Sequence, residues 1–228
     1  LNTLTVSSGI QIGFKTQDFL NKGDVTAWKR YCNSLRLRML TRVSGVASLQ
    51  ARANSEIGSI LADPAKYPVV TNNAQNIQIN VYDLNTDIHS KNFRSGLEDW
   101  GGNVAGKKMI DHMKTSGDPR LRVMFEPGLN AKGEYIGLDP LADASAQTAL
   151  VAGGTLTLYN RSTMSRNQFF PGVVINAAEV SLIMAEYYLK ANNDAQAKAA
   201  YENAIKQSVE FYYNVRKLSN DATTPAPA

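Results

Sequence analysis

The sequence predicts a mostly α-helical protein, with tetratricopeptide-like helix pairs separated by long irregular, partly β insertions. Three observations carry this. Apolar residues recur at helical spacing in two pairs of long segments, one before residue 62 and one after residue 175. Between them lie stretches rich in Asn, Asp and Gly, too broken for regular elements. The last pair also alternates small and large residues at tetratricopeptide spacing.

Residues 1–23 are polar with scattered apolar positions, punctuated by Gly9, Gly13 and Gly23. Asp24 then offers an N-cap. Trp28, Tyr31, Cys32, Leu35, Met39 and Val43 follow as one apolar stripe. After Gly45 a second helix is expected from about Val46 to Leu61, stopped by Asp63-Pro64. So short a connection predicts an antiparallel pair.

From Pro68 to Val104 the chain reads as one long loop, broken by Gly96, Gly101 and Gly102, with a short strand at Ile77–Val81. Loops of this length inside a compact domain are usually functional or disordered. A helix resumes near Val104 and ends by Ser116-Gly117. Asp118-Pro119 should cap the next turn, with Pro119 at a first helical position where its missing N–H costs nothing. Residues 126–170 read as irregular, with strands at Tyr135–Gly137 and Thr155–Tyr159. Two helices close the chain, Asn176–Lys190 and Asp194–Leu218, joined at Asn192-Asn193.

In that closing pair the pattern starts from Met184-Ala185: Ala185, Ala197 and Ala204 let two helices approach, and Tyr188 and Tyr201 fill the grooves beside them. Ser181 and Val209 replace the repeat's usual Trp and closing Pro, so an ordinary alanine-rich hairpin is the competing reading. One repeat cannot bury its own face and needs neighbours. Trp28, Leu35, Met184, Tyr188 and Tyr201 are expected to be buried.

Composition narrows the classes of function. Of the 228 residues 43% are apolar and 19% charged, ordinary for a globular protein. The net charge of +4 is spread along the chain and does not predict nucleic-acid binding. The single Cys32 excludes an internal disulfide and a multi-cysteine zinc site. The longest apolar stretch, Val173–Leu189, is interrupted by Glu179 and Glu186, so no span is expected. His89 and His112 have no metal-ligand spacing. Asp83–Asp87 begins like a calcium loop, but Ile88 stands where glycine is required and Arg94 where a bidentate glutamate belongs. No nucleophile elbow or phosphate loop is present, so an enzyme is not expected and no cofactor is implied.

The stretch Gly23-Asp24 … Trp28 … Asn33-Ser-Leu-Arg-Leu-Arg38 resembles the "GD…W…ANSLRLR" helix of SusD/RagB-type outer-membrane nutrient-binding lipoproteins. Cys32 sits where that family usually has a small residue. Asp118-Pro-Arg-Leu121 is similar to the family's "DPRL". Ala178–Glu186 is similar to its "AE…L..AEA" helix, followed by the helix holding Ala200–Ile205. These blocks stand in family order. Trp28 and Leu35 read as structural, Asn33 as satisfying a buried backbone group, and Arg36, Arg38 and Arg42 as partners for carboxylates at helix ends. The resemblance implies a single SusD-like domain over residues 1–228, with N- and C-terminal parts of the family outside this chain; Leu1 and the tail Thr223–Ala228 fit that expectation. It also implies cell-surface binding of an oligosaccharide or peptide nutrient. Delivery would be to a TonB-dependent outer-membrane transporter of SusC type, and contact with the membrane only through an N-terminal lipid anchor.

The candidate site lies in the Tyr82–Trp100 loop. Sugars have apolar C–H faces and a rim of hydroxyls, so their sites combine exposed rings with planar polar groups. Tyr82, Asp83, Asn92, Phe93, Arg94 and Trp100 supply that mixture. Trp100 either meets the ligand or pins the loop. Two other readings stay open: peptide binding in an open groove, and a repeat scaffold that binds a protein on its concave face.

Overall fold

The computed structural model describes residues 3–99 and 103–227, and is mostly helical. Its elements, in chain order, are α1 (Ser8–Gln17), α2 (Val25–Val43), α3 (Ala47–Ala62), β1 (Ile77–Ile79), α4 (Phe93–Glu98), α5 (Lys107–Ser116), α6 (Leu121–Met124), β2 (Phe125–Glu126), α7 (Ala144–Ala152), β3 (Leu158–Tyr159), β4 (Gly172–Ile175), α8 (Ala177–Lys190) and α9 (Asp194–Leu218). They form two compact units. One holds the residues up to Ile79 with Gly172–Glu210, and the other holds Asn80–Pro171 with the residues from Phe211 on.

The first unit is built on α2, which packs on α3 and α8. Asp24 caps α2, its carboxylate accepting from the N–H groups of Thr26 (2.7 Å) and Ala27 (3.1 Å). The core joins Leu37 of α2, Ile57 and Ile60 of α3, Val70 of the segment before β1, Ile77 and Ile175 of the antiparallel β1–β4 pair, and Ala177 and Val180 of α8. Gly58 has a packing reason: a Cβ there would lie 2.6 Å from the Tyr187 hydroxyl.

The residues of the resembling motif make the contacts that join these elements. Asn33 donates to the Pro68 carbonyl (3.0 Å), and Ser34 Oγ accepts from Val70 N–H (2.9 Å). Both side chains are buried, so these bonds satisfy polar groups of the incoming segment that water does not reach. Arg38 reaches from α2 to Glu179 in the first turn of α8 (2.5 and 2.7 Å) and to the Val174 carbonyl of β4 (2.7 Å). Trp28 stacks on Phe14 and donates Nε1–H to Asp18 (2.7 Å). Burial raises the Asp18 pKa, but hydrogen bonds from Asn21, Trp28, Gly23 and Leu20 outweigh it and hold the carboxyl below its ordinary range.

Several expectations need correction. The N-terminal segment, to which the sequence assigns no element, forms α1, which buries no residue. The apolar stripe of α2 is rotated from the expected one: Met39 (59% exposed) and Val43 face solvent, and Asn33, Ser34 and Leu37 face inward. Trp28, Leu35, Met184 and Tyr188 are half-buried, and Tyr201 is 55% exposed. On α9 the small residues Ala197, Ala200 and Ala204 are buried while Tyr201 turns outward. The segment Pro68–Val104 is not one loop. Its first part belongs to the first unit, tied down by asparagines: Asn73 bonds Gln207 twice (2.8 Å each) and Asn76 Oδ1 accepts from Ala177 N–H (2.8 Å).

The second unit has its own core of Ala105, Ile110, Met113 and Phe125, with β2 pairing antiparallel to β3. Gly128 passes the 154–156 segment so closely that a Cβ would lie 2.5 Å from the Gly154 carbonyl oxygen. Residues 126–170 hold α7, which the sequence reading passes over, and Tyr135–Gly137 is not a strand. Pro119 precedes α6 by two residues instead of opening it. Asp118 nevertheless organises the turn, accepting from Arg120 N–H (2.9 Å) and pairing with the Arg120 guanidinium (2.5 Å).

Candidate functional site

The loop that carries the candidate ligand residues opens the second unit. Tyr82 projects from it, 73% exposed, with its hydroxyl accepting from Asn80 Nδ2 (3.3 Å). Asp83 is engaged locally: one carboxylate oxygen accepts from the backbone N–H (2.8 Å) and side-chain amide (3.0 Å) of Asn85. Thr86 Oγ1 donates to the Asp83 carbonyl (2.8 Å). Asp83 therefore shapes a tight turn, as Asx residues do. Lys91 folds back to donate to the Leu84 carbonyl.

After this turn the loop meets a platform formed by residues 160–170. Ser90 N–H donates to the Gln168 carbonyl (3.1 Å) and Ser90 Oγ to the Phe170 carbonyl (2.7 Å). The Phe93 ring, at the start of α4, lies 5.5 Å from the Phe170 ring, tilted by 48°. Phe93 is 39% exposed, so one side of the ring is supported while part of it meets solvent. Asn92 precedes α4 without capping it through its side chain, and is exposed. Arg94 is 59% exposed and lies 3.3 Å from Glu98 one turn on.

The structure thus leaves Tyr82, Asn92, Phe93 and Arg94 accessible on one loop and uses Asp83 for its turn. A short helix, α4, runs across Gly96, which the sequence pattern marks as a breaker. Trp100 lies outside the described residues. The sequence reading missed Asn80, Phe170, Glu98 and Arg166. Only the i,i+4 spacing of Arg94 and Glu98 was a local signal; Phe170 and Arg166 lie far along the chain and left none.

Glu98 is the most perturbed acid of this region. Arg166 grips both its oxygens (2.9 and 2.8 Å), and Ser165 Oγ adds a third bond (2.6 Å). The hydrogen bonds from Arg166 dominate over burial and, with Ser165, hold the Glu98 pKa down at about 2. The carboxylate is committed to this pair and does not act as a proton donor or acceptor near neutral pH.

Elsewhere, the first unit carries an apolar groove of about 570 Å³ along α8 and α9, lined by Leu182, Ala185, Leu189, Ala197 and Tyr201. Leu189 is 63% and Leu182 48% exposed there. Among the described residues no helix is long and apolar enough to cross a membrane.

A helical chain with exposed rings on a polar loop suits a binding protein, and comparison with known proteins agrees. The sequence profile of a SusD-like family, described as "Starch-binding associating with outer membrane", matches residues 2–225, and the chain belongs to that family. Members are binding proteins, and membership places this protein at the outer membrane. No curated protein matches the sequence. Among solved structures, a SusD homologue from Bacteroides fragilis is similar at 21% identity and TM-score 0.74, covering 86% of this chain and 43% of its own. A SusD-like protein from Bacteroides thetaiotaomicron is similar at 24% identity and TM-score 0.69, covering 98% of this chain and 43% of its own. A chitin-binding protein matches at 18% identity and TM-score 0.68, over 94% of this chain and 50% of its own. Likeness at these identities is a likeness of fold. The chain spans half or less of the length of these relatives.

Proposed function

We propose that the protein binds an oligosaccharide at the cell surface and passes it to a TonB-dependent outer-membrane transporter of SusC type, without catalysis. The observation that carries the glycan part is Phe93, its ring packed at a tilt on Phe170 and the residue 39% exposed, on the same loop as the exposed Tyr82. A sugar's C–H face stacks best on a ring with this support. Asn92 and Arg94 beside it offer donors for hydroxyls, and Trp100 follows two positions after Glu98 in the sequence. The family's description as starch-binding, and a chitin-binding protein of like fold, favour a glycan over a peptide. The lipid anchor and the transporter rest on the resemblance alone.

We also infer that the chain is one part of a longer SusD-like domain. The end of a helical repeat needs a polar outer surface. The outer groove of α8 and α9 is instead lined by Leu182, Leu189 and Tyr201, as suits a face covered by further helices of the same protein.

The test of binding is calorimetric titration of the full-length protein with starch and chitin oligosaccharides, for wild type, Phe93→Ala, Tyr82→Ala and Trp100→Ala. Each substitution should weaken binding at least about tenfold, or about 1.4 kcal/mol, with little change in melting temperature. Wild-type affinity for peptides but for no glycan would replace this reading with the peptide one.

A further inference from the structure

We infer that Arg166, through its grip on Glu98, is a positioning residue for the candidate ligand loop, holding it against the residue 160–170 platform. This rests on the glycan reading above and adds a residue that the motif resemblance does not include.

The loop has little to hold it by itself. Tyr82, Asp83, Asn85, Thr86, Asp87, Ile88, Lys91 and Asn92 are all exposed, so no apolar burial offsets the entropy of fixing them. Order must come from a few attachment points. Among the described residues two stand out: Ser90 and Phe93 on Gln168 and Phe170, and Glu98 on Ser165 and Arg166. The second is the stronger, because a bidentate guanidinium–carboxylate pair fixes orientation as well as distance. Its side chains are largely shielded, Glu98 at 13% and Arg166 at 21% exposure, so water competes weakly.

The platform is itself rigidly built, and this gives the grip its leverage. Buried Asn167 donates to the Val215 carbonyl of α9 (2.9 Å) and the Thr163 carbonyl (3.2 Å). Ser162 donates to Asp221 (2.6 Å), and Thr224 Oγ1 to Asn160 Oδ1 (2.9 Å). Arg166 also reaches Thr223 Oγ1 (3.1 Å). The C-terminal segment thus ties down the platform from which the ligand loop hangs. Glu98 closes the loop at the end of α4, so freeing it releases the α4 register that aims Phe93 and Arg94.

The experiment is hydrogen–deuterium exchange together with calorimetric titration on the full-length protein, comparing wild type, Arg166→Met and Arg166→Lys. Arg166→Met should raise amide exchange across residues 84–98 at least about tenfold, leave α2, α8 and α5 protected, and weaken oligosaccharide binding at least about fivefold. Arg166→Lys, which keeps the charge but not the fork, should fall between. Ser165→Ala serves if Arg166→Met does not fold, and should raise loop exchange about threefold or more. Unchanged loop exchange overturns the grip. Raised exchange with unchanged affinity overturns the positioning role. A wild type that binds no glycan sinks the glycan reading and the role assigned to Arg166 in it, while the exchange data still decide whether the grip orders the loop.

Discussion

Replacing Arg38 by Met should destabilise the first unit by about 2 kcal/mol, reasoning between two limits. Breaking a fully buried ion pair costs about 3–5 kcal/mol, because the surviving charge is stranded. Exposed pairs contribute about 0–1 kcal/mol. The Arg38 and Glu179 side chains are 23% and 34% exposed, so water can partly resolvate Glu179 once its partner is gone. Arg38 also serves the Val174 carbonyl (2.7 Å), and an acceptor left without its donor costs about 1–3 kcal/mol if water cannot replace it. Met fills much of the same apolar volume, which isolates the polar loss. Arg38→Lys should cost about 1 kcal/mol, since an ammonium cannot span Glu179 and Val174 in one plane. Urea unfolding, with hydrogen exchange in α2 and α8 to read this unit by itself, measures each variant. A double-mutant cycle with Glu179→Met should return a coupling of about 1–2 kcal/mol. A stability for Arg38→Met within about 0.5 kcal/mol of wild type, or a coupling near zero, would refute the reasoning, since those are the values of an unconstrained surface residue.

Asp118→Ala should cost about 1–2 kcal/mol by removing the bond to Arg120 N–H and the Arg120 ion pair, with glycan affinity unchanged; a loss of binding at constant stability would move Asp118 into the site. Acid should loosen the second unit through Glu98. Its folded pKa of about 2 lies below the ordinary 4.5, so its contribution, about 3 kcal/mol, is fully present above pH 4.5 and is lost as the pH falls toward 2. Glu98→Gln should therefore be less stable than wild type at pH 7 and should lose less on acidification, as read by exchange in residues 84–98 between pH 6 and 3. Equal acid sensitivity of the two proteins would show that other carboxylates, such as Asp118 and Asp221, carry the effect.

Much of this protein is legible in its sequence because local chemistry specifies it. The helices α2, α3, α8 and α9 are long and periodic, with caps such as Asp24 and Asn176 whose side chains satisfy the first N–H groups. The family motif is readable for the same reason: Asn33, Ser34 and Arg38 are uncommon residues for the interior, and each is there to meet a particular backbone or carboxylate partner. The position of the exposed aromatic loop is legible from its glycines and asparagines, which resist burial. What the sequence does not carry is which face of a helix turns inward. Met39, Val43 and Tyr201 belong to apolar stripes as good as the buried ones, and only packing decides between them. On α9 it is Ala197 and Ala204 that are buried, with Tyr201 left outside. Nor does the sequence carry α1, held by Phe14 on Trp28 and by the Asp18–Trp28 bond at its end, or the partners of Phe93 and Glu98. Phe170 and Arg166 stand far along the chain, where no periodicity or cap connects them to the loop. Those contacts exist because the tertiary fold brings the 160–170 platform beneath a loop too polar to order itself.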